Sequence, residues 1–220
     1  MRRGMWFKAL LVALLVASYP VIMHLLLTSG QWPVATLLMA LLPFAMLPLT
    51  LLKAGRITWG LLSAAVLIAT STFGWDGMLQ NPNWVYLLEN IALECLMAWG
   101  FGRTLQPGHE PLISQFARRI HGADYSPAIA RYTRQVTWAW TLYFVAIALI
   151  SVVLFVAAPL VVWSWFINFV TFILLGLMFA GEYAVRRWRL PDIPHISFIK
   201  SVSPFWDKQA SARAPIDSPP

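Results

Sequence analysis

A chain of 220 residues, 59% hydrophobic and only 11% charged, lies outside the range of soluble domains, in which about 25% of residues are charged. One cysteine, Cys95, excludes an intramolecular disulfide and any multi-cysteine metal site. The formal charge of +7 would suggest nucleic acid as a partner of a soluble protein; in a membrane protein the positive-inside bias explains it, and no nucleic acid is expected.

Six apolar runs are long enough to cross ~30 Å of hydrocarbon, which takes roughly 20 helical residues. They fall at about 6–27, 32–52, 57–75, 84–102, 136–158 and 160–184. The first, "WFKALLVALLVASYPVIMHLLL", follows a signal-like "MRRGMWFK". It is too long for a signal peptide and has no small-x-small cleavage site after it, so it is expected to be an uncleaved span. The second contains Pro43 and Pro48, and the first Pro20. Each interior proline frees a backbone carbonyl and favours a kink, and broken helices near the midplane mark some transporter sites. Spans one to three and four to six would have opposite topology, but no sequence similarity relates them.

The basic residues give the orientation. With the N-terminus inside, Arg2, Arg3 and Lys8, then Lys53 and Arg56, then Arg103, Arg118, Arg119, Arg131 and Arg134 all fall on the cytoplasmic side. So do Arg186, Arg187, Arg189, Lys200, Lys208 and Arg213, which completes the sixteen Lys and Arg of the chain. The opposite connections, "TSGQ", "DGMLQNPN" and "AAP", contain none. The expected fold is therefore an all-α membrane protein. It has one six-helix transmembrane domain over residues 1–200, both termini cytoplasmic, and a disordered Pro/Ser/Ala-rich tail at 201–220.

Between spans four and five, "PLISQFARRIHG" places Leu112, Ile113, Phe116, Ala117 and Ile120 on one helical face, with Arg118 and Arg119 elsewhere. That is the pattern of a short amphipathic helix in the membrane interface, or of a loop helix packed on the bundle. Ser126 and Pro127 read as the N-cap and first residue of a long helix that enters the bilayer at Trp138.

Span four, "NWVYLLENIALECLMAWGFGR", carries Glu89, Asn90 and Glu94. A charge at the centre of a span costs roughly 2.5–3.5 kcal/mol and normally faces the bundle interior. Counting ~1.5 Å per residue from Trp84, Glu89 lies within about two turns of the outer surface, level with His24 of span one. That depth leaves two readings of Glu89: an acid that reaches the hydrated interface, or one that faces His24. Glu94 lies near the middle, and Asn168 of span six is the expected partner at its depth. Five residues separate the two acids by about 140° around the helix, so they do not share a path, whereas Asn90 and Glu94 share a face with Tyr86 above and Ala98 below. This pattern fits a polar seam, with a neutral Glu94 hydrogen-bonding between helices, or a proton-linked or substrate site.

At the inner surface, Glu182 and Arg186 have the i, i+4 spacing of an ion pair. With Arg103, Arg118, Arg119, Arg131, Arg134, Arg187 and Arg189 they form a basic cytoplasmic platform suited to anionic lipid headgroups or an acidic protein. The chain has no Walker A loop, GxGxxG, GxSxG, HExxH or CxxC motif. His24, His109, His121 and His195 lack metal-ligand spacing. No catalytic residue, metal or cofactor is expected, and Cys95 reads as a small core filler.

The segments "FGRTLQPGHEPLISQFARRIHG", "ARYTRQVTWAW" and "GEYAVRRWRLP" resemble those of a bacterial membrane-protein family encoded in aryl-polyene (xanthomonadin-type) pigment-lipid clusters, sometimes labelled "ketosynthase". The resemblance covers roughly residues 84–200. It implies an inner-membrane accessory to making or exporting a polyene acyl lipid, and it carries over no catalytic residues or oligomeric state. A ketosynthase would need an activated cysteine with two histidines or their equivalents in a soluble fold, and those are not found in this sequence. The leading expectation is a non-catalytic helper that gathers acyl-carrier-bound intermediates or enzymes at the membrane, with lipids and acidic acyl carrier proteins as partners. The alternatives are a small lipid transporter working through Glu94 and Asn168, and a membrane-embedded acyl or glycosyl transferase.

Overall fold

The computed structural model describes residues 2–121 and 125–190. The expected tail at 201–220, with Lys200, Lys208, Arg213 and His195, lies outside the described residues. In chain order the elements are α1 (Arg2–Ser29), α2 (Pro33–Lys53), α3 (Ile57–Phe73), α4 (Trp75–Gln80), α5 (Pro82–Arg103), α6 (Leu112–His121) and α7 (Pro127–Ala157). There follows one continuous helical run, α8 (Leu160–Trp165), a π-turn (Phe166–Val170) and α9 (Thr171–Arg189). No strand occurs among the described residues. Helix is the element that satisfies all its backbone groups within one segment, which hydrocarbon demands.

The helix boundaries follow local chemistry. Pro33, Pro82 and Pro127 occupy first-turn positions, where the missing N–H costs nothing. After α2, Gly55 takes φ 75°; its N–H bonds to Leu52 O and the N–H of Arg56 bonds to Leu51 O, both at 3.0 Å. That pair of bonds is a Schellman stop. Ser126 caps α7, its Oγ accepting from Ile129 N at 3.4 Å. At that length Ser126→Ala should cost about 0.5 kcal/mol, the low end for a cap, and should speed amide hydrogen exchange in the first turn of α7 alone. Uniform acceleration along the helix would contradict this.

Among the described residues, three elements are long and apolar enough to cross a membrane: α2, α7 and the run Leu160–Arg189. In each, only 22% of the most apolar window is buried inside the protein, so most of its apolar side chains face outward. Leu149, Val153, Ile173 and Leu177 are all at least 60% exposed. Such a surface would be costly in water and costs nothing against acyl chains. α5 has spanning length at 22 residues, but Glu89, Asn90 and Glu94 dilute its apolarity.

The core lies where α1, α2, α5, α7 and α8 meet. Met23, Ala40, Leu87, Ile147, Trp163 and Ile167 are buried together there. A second cluster, built on Tyr132, Val136 and Trp140 of α7, lies toward the other end of the bundle. α5 and α7 form the main packed pair, and α3 rests on α2 at Gly60. A Cβ at Gly60 would stand 2.6 Å from Leu52 Cγ and 3.2 Å from its nitrogen, so the contact needs the bare backbone.

The structure adds local detail to these expectations. The "DGMLQNPN" connection contains most of a short helix, α4, rather than plain loop. α2 stays helical through Pro43 and Pro48, and a neighbouring side chain takes up the carbonyl that Pro43 frees, as described below. Span six contains a π-turn, with the N–H of Thr171 bonded to Phe166 O. α6 packs on α7: Ser114 Oγ lies 2.7 Å from Thr133 Oγ1, and Ile113 N donates to Thr137 Oγ1. Phe116 and Arg119 turn away from that contact and are exposed, so the face expected to be wholly apolar is split.

Candidate functional site

Glu89 faces α1. The Tyr19 hydroxyl donates to its carboxylate, at 3.1 Å from Oε2 and 3.3 Å from Oε1, and also lies 3.3 Å from Met39 O. Met39 is four residues before Pro43, so its carbonyl is the one that proline leaves without a helical donor. A tyrosine hydroxyl has one hydrogen. Carboxyl and carbonyl are both satisfied at once only when Glu89 is itself protonated and donates to Tyr19. Tyr19→Phe should therefore cost about 0.5–1.5 kcal/mol, read as a lower melting midpoint in detergent; a midpoint equal to wild type would show that the contact contributes nothing.

The Glu89–His24 contact does not form. His24 Nδ1 lies 2.8 Å from Ser164 Oγ on α8, and the ring sits edge-on to Trp165 and Phe169. Equal depth does not bring two side chains together when they point to different neighbours. α1 turns Tyr19 toward α5 and His24 toward α8.

Asn168 is 1% exposed. Its Oδ1 accepts from the Tyr86 hydroxyl at 2.8 Å, and its Nδ2 donates to Ser164 O at 2.9 Å and Ser164 Oγ at 3.3 Å. Asn90 donates to Tyr86 O at 2.8 Å. A polar seam thus runs Asn90–Tyr86–Asn168–Ser164–His24 across α5, the π-turn, α8 and α1. The expected Glu94–Asn168 pair is corrected by this geometry. Asn168 is level with Tyr86, eight residues before Glu94 on α5, or about 12 Å along the axis. Counting depth along each helix separately does not fix how the helices are placed against one another.

Glu94 instead borders a cavity of about 20 Å³ together with Asn90, Ser151 of α7 and Thr171 of α9. Its Oε2 is buried and has no hydrogen-bond partner. Asn90 and Glu94 share this face as their i, i+4 spacing requires. Cys95, one residue on and about 100° around the helix, is exposed, which corrects its reading as core filler.

The arginines gather at the other end of the bundle, and several are engaged. Arg103 stacks over Trp99 at 4.6 Å, Arg134 donates to Leu105 O at 3.2 Å, and Arg189 bonds Gln135 Oε1. Arg118 pairs with Glu110 at 2.8 Å and covers the Tyr125 ring. Arg186 and Glu182 form the expected i, i+4 pair at 3.6 Å, an ion pair without a hydrogen bond, while the Tyr132 hydroxyl donates to Glu182. Arg119, Arg131 and Arg187 are exposed and make no hydrogen bond or ion pair among the described residues. No group of three metal-ligating side chains occurs among the described residues.

Sequence reasoning missed Tyr19, Ser164, Ser151 and Thr171. A signal for two of them was present: Ser164, Asn168 and Thr171 at i, i+4, i+7 mark a polar stripe inside an apolar run. Apolar helices of spanning length, an apolar exterior and polar groups gathered inside define an all-helical membrane protein. Comparison of the chain with protein-family models, curated proteins and solved structures gives no match.

Proposed function

We propose that the chain is a multi-pass protein of the bacterial inner membrane with six spans and both termini in the cytoplasm. In this reading it is a non-catalytic docking platform in polyene-type lipid assembly, holding acyl-carrier-bound intermediates or their enzymes at the bilayer. The observation that carries the proposal is the gathering of arginines at one end of the bundle, with Arg119, Arg131 and Arg187 exposed and uncompensated. Acyl carrier proteins are acidic, and complementary charge favours their encounter.

The topology draws support from the segregation of all sixteen Lys and Arg to one side. α7 adds to it: its 31 residues reach about 46 Å, well beyond ~30 Å of hydrocarbon, which leaves room for the turns bearing Arg131 and Arg134 outside. α6 presents exposed Phe116 beside Arg119, a pairing suited to the membrane interface. The pigment-lipid context comes from the resemblance of residues 84–200. The exporter alternative rests on Glu94, whose cavity is large enough for a water and far smaller than a lipid.

The test is charge reversal at Arg119, Arg131 and Arg187. Arg118 and Arg186 are left in place because they already face Glu110 and Glu182. The triple glutamate variant should lose tenfold or more in recovery of the carrier protein from solubilised membranes, about 1.4 kcal/mol. Wild-type recovery should itself fall as salt is raised. Unchanged recovery by the variant would remove the basis for the docking role.

A further inference from the structure

We propose that the cavity beside Glu94 is a binding site for a single water molecule, through which the Glu94 carboxyl exchanges its proton inside the membrane. This inference is independent of what docks at the arginine-rich end. A water needs roughly 10–15 Å³ of such space and two to four polar partners. The cavity offers about 20 Å³, which suits one water and is too small for an organic substrate.

Its polar lining is complementary to a water. Ser151 Oγ accepts from Trp163 Nε1 at 3.1 Å, which leaves the serine hydroxyl hydrogen to donate into the cavity. Thr171 donates its own hydrogen to Ile167 O at 2.8 Å and keeps oxygen lone pairs to accept. Glu94 Oε2, buried and without a protein partner, is the remaining site. A water accepting from Ser151 and from the Glu94 carboxyl O–H, and donating to Thr171, makes three bonds, the usual number for a buried water.

Among the described residues, the elements around the cavity bring no compensating charge to it. α7 presents Tyr143, whose hydroxyl bonds Thr171 O at 3.3 Å; its Arg131 and Arg134 lie near its other end. α2 has one charged residue, Lys53, in its last turn. α8 and the π-turn have none, and the first in α9 is Glu182. On α5 itself, Glu89 is turned to Tyr19 and Arg103 lies in the last turn. With no cation beside it, the buried Oε2 is left with the water as its polar partner, and the water supplies the route by which the carboxyl proton exchanges.

Infrared difference spectra of the purified full chain in lipid test both parts of the proposal. Subtracting the Glu94→Gln spectrum from wild type should leave a positive carbonyl band of a protonated carboxylic acid. That band should shift down in deuterium oxide, and Glu89→Gln should keep it. Glutamate labelled with carbon-13 throughout the wild-type chain should move the same band, which assigns it to a glutamate without any variant. Ser151→Ala should keep the band and slow its deuterium shift, because one partner of the water is gone. Loss of only ionised-carboxylate bands in Glu94→Gln would overturn the neutral carboxyl. A protonated band indifferent to deuterium oxide would overturn the water.

Discussion

Trp163→Ala should lower stability by about 3 kcal/mol, the largest effect of any substitution considered. The side chain is 0% exposed. It meets Phe155 edge-to-face at 4.7 Å and Tyr86 at 6.0 Å, and its indole N–H is bonded to Ser151. Truncating a buried aromatic costs ~3–5 kcal/mol in soluble proteins. The lower end applies here because lipid solvates the separated helices nearly as well as the core does, so the loss is one of packing and cavity formation. Trp163→Phe separates the components: it keeps most of the packing and should cost about 1 kcal/mol through loss of the indole N–H bond to Ser151 Oγ. Thermal unfolding in detergent reads both variants. A Trp163→Ala midpoint equal to wild type would show that the aromatic cluster does not hold α5, α7 and α8 together.

Replacing Asn168 by Leu should cost about 1–2 kcal/mol. The Tyr86 hydroxyl would lose its acceptor, and Ser164 the amide that fixes it beside His24. An unsatisfied buried hydroxyl costs ~1–3 kcal/mol, and interhelical bonds in membranes reach about 1.7 kcal/mol in double-mutant cycles. The double variant Tyr86→Phe, Asn168→Leu should recover much of that loss, since two apolar partners leave nothing unpaired. If the double variant is as unstable as the sum of the singles, the Tyr86–Asn168 bond is not the source of the effect.

These two residues mark the divide between what was legible in the sequence and what was not. Helix periodicity, proline position and the Ser126 cap are local properties. The apolar segments expected at 32–52, 84–102 and 136–158 accordingly lie in the helices α2, α5 and α7, with α7 extended at its N-terminal end. The common face of Asn90 and Glu94 follows from the rotation of about 100° per residue, and it holds in the cavity they share. The Glu182–Arg186 pair has the same origin in i, i+4 spacing.

Partner choice depends on how helices are staggered, and nothing local encodes that. Asn168 meets Tyr86, which lies eight residues or about 12 Å along α5 from Glu94, because the relative placement of α5 and α8 brings those two side chains together. Tyr19 could be linked to Glu89 and Met39 only once α1, α2 and α5 were in place. Cys95 and Trp163 are both apolar by composition, yet one faces outward and the other is enclosed. Hydrocarbon and a protein core are nearly the same solvent to an apolar side chain. The sequence by itself therefore determined which segments are helices and where their charges lie. The tertiary packing alone decided which faces meet, and so left Glu94 beside a water-sized cavity instead of a side-chain partner.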